Sequence, residues 1–377
     1  MKKGWTYKKL GEVCMKITDG SHNPPKGVEK SNNYMLSSQN VQNGYLDMTS
    51  VRYLSDENFR IENQRTQAKK GDVLLTIVGT IGRTCVLDGT EGNITFQRSV
   101  AILKPSEEIN SRFLMFFLLS QNSNLNSTAQ GAAQKGIYLK QLGNIELHYP
   151  PLSEQHSIVS RLDAVFANID ALKANAEKQL GEARQLFQAE LTECMRPKEG
   201  WEEKTLPDIS ENLDSVRKPV TKGKRTAGIY PYYGASGIVD YVDDYLFDED
   251  LLCISEDGAN LLMRTYPIAF PISGKVWVNN HAHVLRFNSM TTQKYVEYYF
   301  SGMKLDEYIT GAAQPKLTQK AMNSIIVNLP SSLEIQHQIV SRLDALSARV
   351  KQLEEVQRKT MEECDALKQA MLREVFE

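Results

Sequence analysis

A chain of 377 residues, 41% apolar and 24% charged, has the composition of an ordinary soluble globular protein and room for two domains. Its net charge of −2 is uneven: residues 1–150 carry +5, 151–199 carry −2, 200–330 carry −3 and 331–377 carry −2, which argues against a dedicated phosphate-wrapping protein. Five scattered cysteines without a CxxC pair argue against a disulfide scaffold or zinc ribbon, and a longest apolar run of seven residues, 113–119, is too short for a bilayer.

The N-terminal MKKGWTYKKL has no apolar core of a secretory signal, so a reducing cytoplasm is the expected location. Next comes His22-Asn23-Pro24-Pro25-Lys26. Amino-methyltransferases carry a similar Asn/Asp-Pro-Pro-aromatic string, but Lys26 stands where the stacking ring is needed. The donor loop is missing too: Gly79-Thr80-Ile81-Gly82 is a weak match, and the segment reads as a loop. Ser37-Ser38-Gln39-Asn40-Val41-Gln42-Asn43 and Gln97-Arg98 gather side chains suited to base edges. The runs 73–78 and 251–254 read as buried strands, punctuated by glycines. Helices are expected at Ser111–Ser120 and at 292–301, so each half is α+β.

After a GAAQ tetrapeptide, residues 145–147 read as a closing strand that Pro150-Pro151 stops. Ser153 can cap the helix expected after the prolines. From there the apolar positions Ile158, Leu162, Val165, Ile169, Leu172 and Ala176 alternate steps of four and three, the seam of a coiled coil. Pro197 and Gly200 end this helix.

The second half opens GWEEKTLPDI as the first opened GWTYKKLGEV. Residues 215–239 hold Arg217, Lys218, Lys222, Lys224 and Arg225 with no acidic residue before Asp240, beside Tyr230, Tyr232 and Tyr233. That mixture suits a phosphate backbone, or equally a solvated loop. Asn279-Asn280-His281 is a third base-edge cluster. His281 and His283 could ligate a metal, but no third ligand stands at convincing spacing, so a structural role is expected and no metal. Lys26, Arg83, Asn260 and Arg264 complete the candidate contacts. A second GAAQ precedes a strand at 325–327, then Pro330 and Ser331, which with Glu334 makes a capping-box pattern. Ile339, Leu343, Leu346, Val350 and Leu353 repeat the heptad seam, with Gln179, Gln357 and Thr360 as polar interruptions.

The heptapeptide IVSRLDA occurs at 158–164 and again at 339–345, 181 positions on. The organisation is therefore a globular part (1–150), a long helix (151–198), a different globular part (199–330) and a second long helix (331–377), the helices pairing with each other. His156 and His337 are repeat-equivalent and read as capping or packing residues. No GxSxG, Walker A or HExxH pattern occurs, and no catalytic residue is assigned.

With the repeat laid out, the chain resembles the specificity subunit of type I restriction–modification systems. The signs are GW with L-G-E-V near the start, Asp19-Gly20-Ser21-His22, Tyr232-Tyr233-Gly234-Ala235-Ser236-Gly237, Ser255-Glu256-Asp257-Gly258-Ala259-Asn260, and Pro150-Pro151-Leu152-Ser153-Glu154-Gln155 before Ile158-Val159. The second junction departs, reading Pro330-Ser331-Ser332-Leu333-Glu334-Ile335-Gln336. The resemblance implies two target-recognition domains, each reading half of a bipartite site in double-stranded DNA, and an antiparallel coiled coil fixing the gap. It also implies docking of two methyltransferase subunits and, through them, restriction/translocase subunits. S-adenosylmethionine, ATP and magnesium then belong to the partners, and this chain is not an enzyme. The DNA-reading subunit of a type IIB-like enzyme, a competent methyltransferase and a coiled-coil scaffold unrelated to DNA are the alternatives.

Overall fold

The computed structural model describes residues 4–131, 135–311 and 314–377. Ala132, Ala133 and Gln134 of the first GAAQ and Ala312 and Ala313 of the second lie outside these. The chain divides into two compact units, Met1–Ala176 with Lys359–Glu377, and Glu177–Arg358.

The first unit begins with an antiparallel ribbon, Thr6–Lys9 against Glu146–Tyr149. Its main sheet is antiparallel, in the order Cys14–Asp19, Val100–Pro105, Val73–Thr76, Thr84–Val86. A smaller sheet sets Asn33–Leu36 between Arg52–Tyr53 and, in parallel, Asn93–Phe96. Successive strand residues face opposite ways. Val73 and Leu75 therefore enter one core with Phe113 and Phe117 of helix Ser111–Ser120, while Leu74 enters another with Leu36, Ile94 and Phe96. Both faces are covered, which is why 73–78 reads as a nearly continuous apolar run, with Thr76 its one polar residue, rather than an alternating one.

The second unit repeats the plan. Its ribbon is Trp201–Thr205 with Ile326–Pro330, and its main sheet runs Ser210–Asn212, Ala282–Phe287, Leu251–Ser255, Ala269–Ile272. Leu252 and Ile254 face a core with Tyr295 and Phe300 of helix Met290–Gly302; Leu251 and Cys253 face another. Here too the second sheet contains one parallel pair, Ala227–Gly234 with Lys275–Val278. Helix Asp56–Thr66 belongs to the first unit alone and the strand Phe247–Asp248 to the second, so the repeat diverges mainly between the two parallel strands.

The long helices are Leu152–Cys194 and Leu333–Phe376, of 43 and 44 residues, each about 65 Å at 1.5 Å per residue. Within the first unit Lys173 pairs with Asp365 at 2.8 Å and Asp170 with Lys368; within the second, Arg184 pairs with Glu354 at 2.8 Å and Glu190 with Arg342 at 2.6 Å. Rising numbers on one helix meet falling numbers on the other, so the pairing is antiparallel. Ile158, Leu162, Ile169, Ala176 and Leu343 are buried, and Val165, Ile339, Leu346, Val350 and Leu353 half-buried. Leu172 departs from expectation: it is 51% exposed. The covered positions keep a four-three alternation through Phe166, Ile169, Lys173, Ala176 and Leu180, so the seam passes on the Lys173 side of Leu172, the Lys173 ammonium reaching Asp365. Two of the polar interruptions meet each other, Gln357 Nε2 donating to Gln179 Oε1 at 3.1 Å.

The helix starts also correct the sequence reading. Ser153 lies inside the first turn, and Ser331 donates to the Gly200 carbonyl at 2.8 Å instead of capping. The buried anchors are the repeat-equivalent glutamines. Gln155 accepts from the Asn110 N–H and donates to the carbonyls of Glu108 and Pro150; Gln336 accepts from the Thr292 hydroxyl and donates to the Pro330 carbonyl. His156 bonds back to the Leu152 carbonyl at 2.7 Å. Among the described residues no helix is long and apolar enough to cross a membrane.

Candidate nucleic-acid interface

The loops flanking the parallel strand pair are where sequence-divergent polar residues collect. In the first unit, backbone bonds stitch them together: Ser21 N–H to the Phe96 carbonyl (2.7 Å), Arg98 N–H to the Ser21 carbonyl (2.8 Å), and Gln97 N–H to the Leu36 carbonyl (2.8 Å). Ser38 N–H donates to Ser99 Oγ at 3.0 Å, and Ile77 N–H to the Ser99 carbonyl at 2.9 Å. Residues 20–22, 37–40, 77–83 and 97–99 thus form one cluster. Gly20 makes it possible, because a Cβ there would lie 2.0 Å from the Phe96 carbonyl oxygen.

The second unit builds the same cluster from other side chains. Asn279 N–H donates to the Tyr233 carbonyl at 3.1 Å, the Ser255 hydroxyl to the Ala235 carbonyl, and Glu256 N–H to the His281 carbonyl at 2.9 Å. Gln97-Arg98-Ser99 and Asn279-Asn280-His281 each leave the parallel strand and enter the central strand of the main sheet. They are the same turn in two copies, and residues 37–39 correspond likewise to 234–236. Two clusters singled out separately in the sequence therefore occupy one structural position.

Buried charge braces each cluster. In the first unit Asp19 is buried between Arg65 and His22 Nε2, the latter 2.8 Å away. In the second, Asp214 accepts from Val284 N–H (2.9 Å) and lies 2.6 Å from His283 Nδ1 and 3.1 Å from Arg217; Glu256 lies 2.7 Å from Arg217 and 3.1 Å from Lys316. Burial alone would raise both carboxyls. At Asp214 the His283 hydrogen bond and charge, the Val284 N–H and Arg217 prevail, and at Glu256 Arg217, His283 and Lys316 do, so both are held below the ordinary carboxylate range. The oxygens of Asp214 and Glu256 and a nitrogen of His283 lie within 4.8 Å of one another. Yet two basic side chains, Arg217 and Lys316, already face the carboxylates. The group is suited to an ion network rather than to a metal ion.

These paired clusters coincide with a sequence match that runs through both halves. The family model described as the type I restriction modification DNA specificity domain matches residues 2–181 and 198–362. The chain belongs to that specificity-domain family. A putative type I restriction enzyme specificity subunit of Haemophilus influenzae is 34% identical over 145 residues, 38% of this chain and 37% of that protein. The EcoBI specificity subunit of Escherichia coli is 29% identical over 187 residues, 49% of this chain and 38% of its own length. These two matches therefore span little more than a third of those relatives. The EcoKI specificity subunit of Escherichia coli K12 is 22% identical over 418 aligned positions, covering 99% of this chain and 88% of it. Among solved structures, a chain from work on the assembly and conformational transition of a type I R-M system has a TM-score of 0.75 at 16% identity, covering 99% of this chain and 97% of that one. The HsdS subunit of Thermoanaerobacter tengcongensis has a TM-score of 0.57 at 17% identity, covering 100% and 97%. Both are likenesses of fold.

In this specificity-family chain the candidate contacts separate into two groups. Gln39, Arg98, Asn280 and His281 are exposed, and Ser38, Gln97 and Arg83 half-buried at the clusters; His281 also meets Asp257 at 2.8 Å. Gln42 is half-buried and bonded to the Gln39 carbonyl. Lys222 and Lys224 are exposed on a separate turn, and Lys26 stands beside Arg52, which donates to the Pro25 carbonyl. Others are consumed by the fold. Asn40 is buried, accepting from Ser37 N–H and donating to the Asp47 and Ser50 carbonyls. Asn279 is buried and accepts from His281 N–H. Tyr232 is 1% exposed, its hydroxyl bonded to Val220, with the Arg225 guanidinium stacked 4.2 Å from its ring centre and paired to Asp240. Tyr233 is half-buried against Phe270. Asn260 ties to Tyr266, while Arg264 donates to the Phe300 and Met303 carbonyls, burial drawing its pKa down. These residues shape the loops and do not project from them. Arg65, Ser99 and Ala235 were not legible as site residues, because their roles arise from partners 46, 61 and 20 positions away.

Proposed function

We propose that the chain is a non-catalytic DNA sequence-recognition subunit of a type I restriction–modification complex, each unit reading one half of a bipartite target in the duplex. The carrying observation is the duplicated turn: residues 97–99 and 279–281 hold one place in the fold with different side chains, while the IVSRLDA junction is repeated unchanged. Text that differs suits two half-sites; text that repeats suits one partner engaged twice. Exposed Arg98, Gln39, Asn280 and His281 offer donors and acceptors for base edges, and Lys222, Lys224 and Lys26 offer charge for phosphates. The long helices fix the gap; at 3.4 Å per step, about 65 Å corresponds to about 19 base pairs. Two methyltransferase subunits dock on the repeated junctions and bring S-adenosylmethionine chemistry, with base flipping in their own pockets; restriction/translocase subunits, using ATP and magnesium, join through them in the cytoplasm.

The test is genome-wide adenine-methylation mapping with the wild-type gene, its deletion, Arg98→Ala and Asn280→Ala. Deletion should abolish methylation at one split motif, and each substitution should relax the motif on one side of the gap only. Methylation unchanged by deletion, with the partner expressed, or relaxation on both sides at once, would overturn the reading.

A further inference from the structure

At their starts the two long helices carry the same seam, so apolar packing there does not tell a helix from its copy: Ile158, Leu162, Val165 and Ile169 stand where Ile339, Leu343, Leu346 and Val350 stand 181 positions later. The seams differ only farther along, where Phe166, Ala176 and Phe187 correspond to Ser347, Gln357 and Lys368. A strict repeat of this kind pairs as well with a second copy of itself as with its intended partner. The flanking charges break that equivalence. Under the same offset, Lys173 corresponds to Glu354 and Arg184 to Asp365. Lys173 meets Asp365 at 2.8 Å in the first unit, and Arg184 meets Glu354 at 2.8 Å in the second. These are one rung of the repeat made twice, with the signs exchanged between helices. The first helix is basic at both positions and the second acidic at both.

We propose that these two rungs select the pairing of the first helix with the second and reject symmetric pairing with another copy of the chain. If two first helices met in the same antiparallel register, Lys173 would face Arg184. If two second helices met, Glu354 would face Asp365, and Lys368, which now holds Asp170, would face Lys351, the repeat equivalent of Asp170. One row runs the other way, since Arg161, equivalent to Arg342, would face Glu190 in a pair of first helices. The second helix is thus the more strongly guarded of the two. The consequence is a chain that closes on itself and always presents two different globular units together, never two copies of one.

The test uses the full-length chain and three charge variants, followed by thermal unfolding and light scattering. K173E/R184E and K173E/E354K each turn both internal rungs from attraction to repulsion. Both should lower Tm by about 2–4 °C, the scale of two partly exposed ion pairs reversed. The quadruple inversion K173E/R184E/E354K/D365K restores every internal attraction and should recover the wild-type Tm. Only K173E/E354K makes each helix complementary to its own copy, by setting a new carboxylate opposite Arg184 and a new ammonium opposite Asp365. It alone should form dimers as concentration rises. Failure of the quadruple variant to recover, or the same oligomeric state for both double variants, overturns the proposal.

Discussion

Replacing Gly20 by alanine should disable reading by the first unit without touching any side chain that faces a ligand. The added Cβ would lie 2.0 Å from the Phe96 carbonyl oxygen, 2.2 Å from its carbon and 2.6 Å from the Gln97 carbonyl oxygen. Ordinary contact needs about 3.4 Å, so the loop at 97–99 must retreat by more than about 1 Å, and the obstacle is backbone, which cannot rotate aside. Retreat breaks the Ser21–Phe96 and Arg98–Ser21 backbone bonds and strains the one from Gly20 to Val100 (3.3 Å). At about 1 kcal/mol for each bond lost, more where a buried group stays unpaired, G20A should cost about 2–4 kcal/mol and lower Tm by about 5–10 °C. Methylation mapping should show the half of the motif read through Gln97 and Arg98 relaxed or lost, and the other half retained. Gly143 is the control: a Cβ there meets nothing within 4 Å, so G143A should be neutral in both assays. If G20A kept the wild-type Tm and an unaltered motif, the stitched-loop geometry would be refuted as the basis of reading.

Gln155→Leu removes three bonds from a fully buried side chain and strands backbone groups of Glu108, Asn110 and Pro150, so chemical denaturation should show a loss of about 3 kcal/mol or more. Asp214 and Glu256 are depressed in the folded state. Their stabilisation is therefore complete above the unfolded carboxylate value of about 4 and lost as pH falls through the folded values. Urea midpoints should fall below about pH 4, and D214N should be less stable at pH 7 with a flatter acid limb; an unchanged limb would mean the network does not brace the fold. Deleting one facing heptad from each helix, residues 176–182 and 356–362, shortens both by about 10 Å. Methylation mapping should then return the same half-sites about three base pairs closer, and an unchanged gap would separate the helices from the spacing.

Much of this protein was legible in its sequence because the informative signals are local or repeated. The heptad spacing, the duplicated IVSRLDA and the proline stops located both long helices, and the apolar-rich runs at 73–78 and 251–254 located the central strands. Individual contact residues were less legible. Asn40, Asn279 and Tyr232 have the chemistry of a reading surface, yet the fold spends them on its own backbone: the two asparagines close local turns with Ser37 and His281, while the partner of Tyr232 lies twelve positions away. Leu172 fits one seven-residue seam in the sequence, but Phe166 and Lys173 fit another that shares Ile169 and Ala176, and tertiary packing covers the second.

The sequence by itself thus determined the two-fold repeat, the helices and their polar interruptions, since these depend on periods of two, three and four residues along one chain. Only tertiary structure decided that Gln97-Arg98-Ser99 and Asn279-Asn280-His281 are one turn in two copies, that Gln179 meets Gln357, and that Lys173 answers Asp365 as Arg184 answers Glu354. Those relations join residues tens to nearly two hundred positions apart, and hydrogen bonds and ion pairs form by distance in space, which a linear pattern does not encode.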